Sequence, residues 1–178
     1  MSQQLKKFNN NWYNPGNIVK RIIWYILSLI FFETRVPFPS FLKITLLKLF
    51  GATVGNIVIK PNVRIKYPWF LSIGNNSWIG EGCIIDNIGF VSIGSNVCIS
   101  QGVMIISGNH DWGKVTFDLL VEEITISDHV WLGAKSIVLP KSYLAKSVVI
   151  CGGSTVSGKT KENCIYNGSP IKFVKNRN

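Results

Sequence analysis

Isoleucine, leucine or valine recurs every sixth residue along most of this chain, a period that suits neither a helix nor an ordinary β-sandwich. The positions are Ile59, Ile65 and Leu71; Ile73, Ile79 and Ile85; Ile93, Ile99 and Ile105; then Ile126, Leu132, Val138, Leu144, Ile150 and Val156. Four residues after most of these anchors the side chain is small or β-branched, as at Val63, Ser77, Cys83, Gly89, Val97, Val103, Val130, Ser136, Ser142, Val148, Ser154 and Thr160. A six-residue unit is too short to be a domain. Each must be one short strand plus a bend, stacked on its neighbours to bury a shared core. The chain is therefore expected to form a solenoid.

The breaks in the period are as informative as the period. Two residues are added between Leu71 and Ile73 and again between Ile85 and Ile93, which a corner can absorb as a small bulge. Between Ile105 and Ile126 the excess is three residues over eighteen, and the segment 107–123 has no anchor in phase, so a loop leaves the solenoid there. The expected organisation is a helical arm over 1–50, a solenoid over 51–160 with the loop insertion 107–123, and a C-terminal tail over 161–178.

At 178 residues the chain is long enough for one sizeable core. Its four cysteines, Cys83, Cys98, Cys151 and Cys164, include no CxxC pair and are expected to be ordinary reduced thiols. The first seventeen residues are polar and Asn-rich, with no cleavage-like site after an apolar run, which makes the cytoplasm the default location. The net charge of +10 is concentrated at the two ends. Residues 1–50 carry Lys6, Lys7, Lys20, Arg21, Arg35, Lys43 and Lys48 against the single acid Glu33, and the C-terminal end carries Lys159, Lys161, Lys172, Lys175 and Arg177 against Glu162. The C-terminal cluster reads either as a site for a phosphate-bearing ligand or as a solvated face. The basic residues follow no nucleic-acid-binding motif, so no nucleic acid is expected as a partner.

The arm contains an uncharged run over 22–32, IIWYILSLIFF, too short to span a bilayer as a helix. Pro37 and Pro39 break the chain. Residues 41–50 then read as a second helix, with apolar Leu42, Leu46, Leu47 and Leu49 and outward Lys43 and Lys48. A helical hairpin that caps the solenoid or meets a neighbouring subunit is one reading; a basic, aromatic surface that also makes peripheral contact with a membrane is the other.

Chemistry concentrates in the loop. His110 sits where the period is interrupted, flanked by Asn109, Asp111 and Trp112, and histidine is the natural general base near neutral pH. Solenoid insertions often carry function. A lone loop histidine that is merely solvated is the alternative.

The runs FGATVG (50–55), YPWFLSIGNNSWIGEGCIIDN (67–87), VSIGSNVCISQG (91–102), SGNHDW (107–112) and VWLGAKSIVLPK (130–141) resemble the hexapeptide-repeat sugar O-acetyltransferases of the colanic acid biosynthesis type, grouped with the maltose and galactoside acetyltransferases. The resemblance implies an all-β fold, a left-handed parallel β-helix of eighteen-residue triangular coils, and a homotrimer with coenzyme A clefts between adjacent prisms. It implies acetyl-CoA as co-substrate, no metal, and His110 as the base that takes the proton from an acceptor hydroxyl. Ala134 would supply the backbone N–H that holds the oxyanion, and Trp131 would lie near the thioester, unless it is a corner aromatic covering the coil. Gly133, Gly152 and Gly153 would let the pantetheine arm lie against the backbone. Ser157, Lys159 and Lys175 are the candidates for coenzyme phosphates, although in SGKTKEN the lysine stands one place away from the family's position. Asp86 and Asn87 would bind sugar hydroxyls or orient His110, with a corner turn as their alternative. Asn109, Asp111 and Trp112 complete the expected acceptor set, Trp112 and Trp78 being equally suited to packing.

The expected function is O-acetylation of a sugar hydroxyl in surface polysaccharide biosynthesis, on a free sugar, a nucleotide sugar or a lipid-linked oligosaccharide. A sugar N-acyltransferase, a serine acetyltransferase and a noncatalytic scaffold of a polysaccharide assembly stay open. A carbonic anhydrase on the same solenoid needs three histidine ligands, and the chain has only His110 and His129.

Overall fold

The structure, a computed structural model, describes residues 3–178; residues 1 and 2 of the expected arm lie outside the described residues. Its body is a parallel β-solenoid of three sheets. The first face stacks Thr53–Val54, Leu71–Ile73, Val91–Ile93, Ile124–Ile126 and Tyr143–Leu144; the second stacks Val58–Ile59, Trp78–Ile79, Cys98–Ile99, Trp131–Leu132 and Val149–Ile150; the third stacks Arg64–Ile65, Ile84–Asp86, Met104–Ile106, Ile137–Val138 and Thr155–Val156.

The six-residue period becomes three inward ladders. Ile59, Ile79, Ile99, Leu132 and Ile150 stand in register on the second face, and Ile65, Ile85, Ile105, Val138 and Val156 on the third, all buried. Burying each such side chain contributes about 1.5–3 kcal/mol. Three residues beyond most anchors the backbone enters the left-handed region, at Asn62, Asn76, Asn96, His129, Lys135, Lys141 and Ser147 with φ between 55° and 65°. That is the bend of each unit, and asparagine tolerates it best. The small residue that follows turns inward at the corner, where a larger one would collide with its stacked equivalents.

The arm closes the open end of the solenoid. Helix α1 (Ile18–Phe31) is capped by Asn17, whose Oδ1 accepts from the Val19 and Lys20 amides at 2.8 and 3.3 Å. Helix α2 (Ser40–Leu49) follows the proline break. Beneath the first coil no further coil exists to take its edge groups, so the arm takes them: Trp24 Nε1 donates to Ile65 O at 2.8 Å, the Ile59 amide donates to Ser40 Oγ at 3.0 Å, and the Asn62 and Val63 amides donate to Thr34 O and Phe32 O. Lys43 corrects the helical pattern expected for α2. It is completely buried and donates to Lys60 O at 3.0 Å and Ile59 O at 3.4 Å, while Leu49, expected inward, is 76 % exposed. Carbonyls at an uncovered edge need a donor more than the core needs another leucine.

Burial pushes the Lys43 ammonium below its ordinary pKa of 10.5. Between that lowered value and 10.5 the unfolded chain binds more protons than the folded one, so this lysine makes stability rise with pH across the window. Lys43→Met should cost about 1–3 kcal/mol near neutrality by orphaning two carbonyls and should remove that alkaline rise. Denaturant unfolding from pH 7 to 10.5 checks both, and a slope unchanged in the variant would assign the rise to other groups.

Between the third and fourth coils the chain leaves as a two-stranded antiparallel hairpin, Gly108–His110 against Leu119–Val121. The far end differs from the expected tail. Cys164–Asn167 adds a further parallel rung beyond Val149–Ile150, with Tyr166 in register with Ile150, and Lys172–Asn176 folds back antiparallel upon it. An edge strand carrying Lys172 and Lys175 is a poor template for further strand addition. Among the described residues no helix is long and apolar enough to cross a membrane.

Candidate active site

His110 ends the outgoing strand of the hairpin and is partly buried. Its ring lies 4.2 Å from that of Phe117 with only 3° between the planes, and Phe8, from the segment before α1, packs at 5.5 Å. Phe117 adopts φ 51°, a left-handed conformation that is strained for a bulky residue. That turn brings the Phe117 carbonyl to 2.9 Å from His110 Nδ1. A carbonyl can only accept, so Nδ1 is a protonated nitrogen, and in the neutral ring the lone pair is then on Nε2. The imidazole is thus held in the tautomer a general base requires. Neither phenylalanine was foreseen from the sequence, which carries no periodic signal in either segment. The arm takes part directly, since the Gln4 amide donates to Val115 O at 2.8 Å and the Tyr13 hydroxyl to Ile88 O at 2.8 Å. Burial raises the Tyr13 phenol above its ordinary pKa, followed by the nearby Tyr67.

Of the loop residues expected at an acceptor, Asn109 accepts the His110 amide on its Oδ1 at 2.8 Å. Asp111 turns the loop: its Oδ1 accepts the Gly113 amide at 3.0 Å and its other oxygen faces Lys114 at 3.8 Å. Lys114 in turn meets Asp118 at 3.0 Å, and hydrogen bonds from Thr116 and Lys114 hold the Asp118 carboxyl below its ordinary range. Trp112 is 85 % exposed.

Beneath the root of the hairpin the corner residues stack in three tiers. Asp86 is in register with Ile106, the Ser107 amide donates to Asp86 O at 3.1 Å, and Asn87 lies over Tyr67. The two members of the expected pair part company here. Asp86 keeps a partly exposed carboxylate, with Lys66 Nζ 2.8 Å from Oδ1 in a charge contact that lacks hydrogen-bond geometry. Asn87 takes the corner-turn alternative: it is completely buried, its Oδ1 accepting the Tyr67 amide at 3.1 Å and its Nδ2 donating to Tyr67 O at 2.6 Å. The added residues of the corner leave the Tyr67 backbone without a strand partner, and Asn87 supplies one. Asn87→Ala should therefore lower stability by about 2–4 kcal/mol with acceptor KM unchanged. A raised KM at unchanged stability would return Asn87 to the acceptor.

On the second face Trp131 is 48 % exposed, with Nε1 donating to Ser100 Oγ at 3.0 Å. Pairing runs from Trp131 to Val149 to Ile165 to Lys175, so Trp131 and Lys175 point outward from one sheet, three strands or roughly 14 Å apart. Ser157 and Lys159 stand elsewhere, past the third-face strand Thr155–Val156, with Lys159 bridging to Tyr143. Gly133 is buried, and a Cβ there would meet Gly152 N at 2.5 Å and Ile150 O at 2.7 Å, so its glycine serves the close contact between coils. Gly152 and Gly153 are exposed, and Gly153, at φ 69°, has open space beside it. The Ala134 amide has no backbone acceptor, but neither do those of Gln101 and Gly152 on the adjoining coils. The corner presents a row of unused donors, of which Ala134 is one.

Ala134 follows the second-face strand and the hairpin follows the third-face strand, so the two occupy different corners of the prism. The four cysteines are free thiols, and burial pushes Cys83 up to about 11. Among the described residues no group of three or more His, Cys, Asp or Glu side chains is arranged to hold a metal ion.

No family model matches the sequence. Among curated proteins, the colanic acid biosynthesis acetyltransferase WcaF of Escherichia coli strain K12 is 29 % identical over 93 % of this chain and 91 % of its own length. An acetyltransferase of Dictyostelium discoideum is 30 % identical over 72 % of this chain and 69 % of its own. Among solved structures, a galactoside acetyltransferase in complex with coenzyme A superposes with a TM-score of 0.77 at 25 % identity, covering 90 % of this chain and 82 % of the other.

Proposed function

The chain belongs to the hexapeptide-repeat acetyltransferases, and on that premise we propose that it moves the acetyl group of acetyl-CoA onto a hydroxyl of a sugar unit in a surface polysaccharide pathway. The observation that carries the mechanism is the 2.9 Å contact of His110 Nδ1 with Phe117 O, which frees Nε2. A sugar hydroxyl is too weak an acid to attack a thioester unaided. As its oxygen bonds to the carbonyl carbon, its proton passes to Nε2; collapse of the tetrahedral intermediate breaks the C–S bond, and the departing thiolate recovers the proton from the imidazolium. An unused corner amide such as that of Ala134 would stabilise the oxyanion.

Coenzyme A is proposed to lie along the second face, its thioester end at Trp131 and a phosphate at Lys175, past Gly152 and Gly153. The shared sheet register of Trp131 and Lys175 supports this path. It leaves Ser157 and Lys159 to a second copy of the chain or to solvent. The different corners taken by His110 and Ala134 favour sites completed between prisms, hence a homotrimer. Sedimentation should then give three times the 19.9 kDa chain mass. Asp86, Asn109, Asp111 and Trp112 are proposed to surround the acceptor. The enzyme is assigned to the cytoplasm, where acetyl-CoA is made, with peripheral contact at the inner membrane face through α1, whose Ile23, Ile26 and Ile30 are exposed.

Thiol release from acetyl-CoA over a panel of sugars, aminosugars and oligosaccharides tests the proposal. Release that depends on a hydroxyl acceptor is expected. Release confined to aminosugars would make the enzyme an N-acyltransferase, and no coenzyme A binding would favour a scaffold.

A further inference from the structure

A groove of about 540 Å³ runs between α1 and the corner of the first two coils, below the root of the hairpin. One wall is apolar, formed by Ile18, Ile22 and Tyr25, each more than half exposed. The strand side carries Arg64 and Lys66, and Arg21 lines the groove from the helix. Two acids share this lining, Asp86 with Lys66 at 2.8 Å and Glu33 accepting from the Ser28 hydroxyl at 2.9 Å, so three cations, Arg21, Arg64 and Lys66, stand against two carboxylates. Arg21 and Arg64 have no carboxylate partner among the described residues.

Two guanidiniums that line one groove without a carboxylate partner match the planar, bidentate demand of phosphate. A sugar alone gives no use to the apolar wall, which continues along α1 through the exposed Ile26 and Leu29. A hydrocarbon chain does. The groove also points at the chemistry. Lys66 and Tyr67, then Asp86 and Asn87, then Ile106 and Ser107 are successive tiers of one corner, so two strand spacings, about 10 Å, separate the strand of Arg64 and Lys66 from the base of the hairpin whose last strand residue is His110.

We infer that the acceptor arrives as a sugar carried on a phosphate- or pyrophosphate-linked lipid, its phosphates held by Arg21 and Arg64, its apolar chain against Ile18, Ile22 and Tyr25, and its sugar directed up the corner towards His110. This rests on the transfer function proposed above and names the form of its substrate.

The test is calorimetric titration of the full chain with farnesyl diphosphate below its micellar concentration, inorganic pyrophosphate, and farnesol. Farnesyl diphosphate is expected to bind at least about tenfold more tightly than pyrophosphate, and farnesol weakly. Arg21→Gln with Arg64→Gln should weaken farnesyl diphosphate about tenfold or more and leave coenzyme A affinity unchanged. Ile22→Ser, at an exposed position, should abolish only the advantage conferred by the tail. Equal affinity for farnesyl diphosphate and pyrophosphate, or affinity indifferent to the arginine pair, overturns the inference. Acetyl transfer to free sugars without farnesyl diphosphate binding would remove the lipid carrier and leave the acetyltransferase standing; binding without any transfer would support the groove and sink the transfer proposal.

Discussion

Replacing His110 with alanine is expected to lower acceptor-dependent thiol release by roughly 10²–10⁴-fold, the usual contribution of a positioned general base, with coenzyme A affinity within about twofold of wild type. The reason is local. Phe117 O fixes the proton on Nδ1, and the Phe117 and Phe8 rings hold the imidazole plane, so no other group in the hairpin has a lone pair at that position. Asp111 is committed to Gly113 and faces Lys114. His110→Gln is expected to be as inactive as alanine, because an amide supplies shape but no basicity. Phe117→Ala should lie between, since it removes the stacking partner but keeps the carbonyl; its loss should appear in kcat more than in KM. Activity retained in His110→Ala with a true hydroxyl acceptor would assign the base elsewhere.

Ile105→Ala is expected to cost about 2–5 kcal/mol, a large fraction of the roughly 5–15 kcal/mol available to a domain. Ile105 is completely buried, stacked between Ile85 and Val138 in the third-face ladder. A β-helix coil has little freedom to collapse into a void, because its backbone is fixed by hydrogen bonds to the coils above and below. Strand Met104–Ile106 is also the root from which the hairpin leaves, so the same substitution should lower activity at temperatures well short of unfolding. The midpoint should fall by roughly 2–4 °C per kcal/mol for a chain of this size, measured at one protein concentration since assembly shifts it. Ile22→Ala, on the exposed side of α1, is the control and should move stability by less than about 0.5 kcal/mol. A cost at Ile105 below about 1 kcal/mol would mean that the ladder has slack to refill the space.

The positions of the coils, the inward ladders and the exit of the loop were legible because they follow from a local steric rule. One branched apolar residue must point inward on each face, and one small residue must turn each corner. The same rule locates His110, since an interruption of a strict period is visible without knowing what surrounds it. The rule fails wherever a group must answer to another group far along the chain. A helical pattern assigns Lys43 to solvent and Leu49 to the core, yet the uncovered carbonyls of Ile59 and Lys60 draw the lysine in. Asn87 reads as a polar corner residue available to a ligand, but an irregular turn twenty residues earlier takes both ends of its amide. Gly133 reads as room for a ligand, but its missing side chain answers to the close contact of the next coil. The last rung escaped the period because Tyr166, in register with Ile150, is out of the six-residue phase as well as aromatic. The period and its interruption belong to the sequence alone. The tautomer of His110, the capping of the open end and the cationic groove belong to the tertiary structure, because backbone groups left unpaired at ends and corners take whichever side chain the completed fold brings within reach.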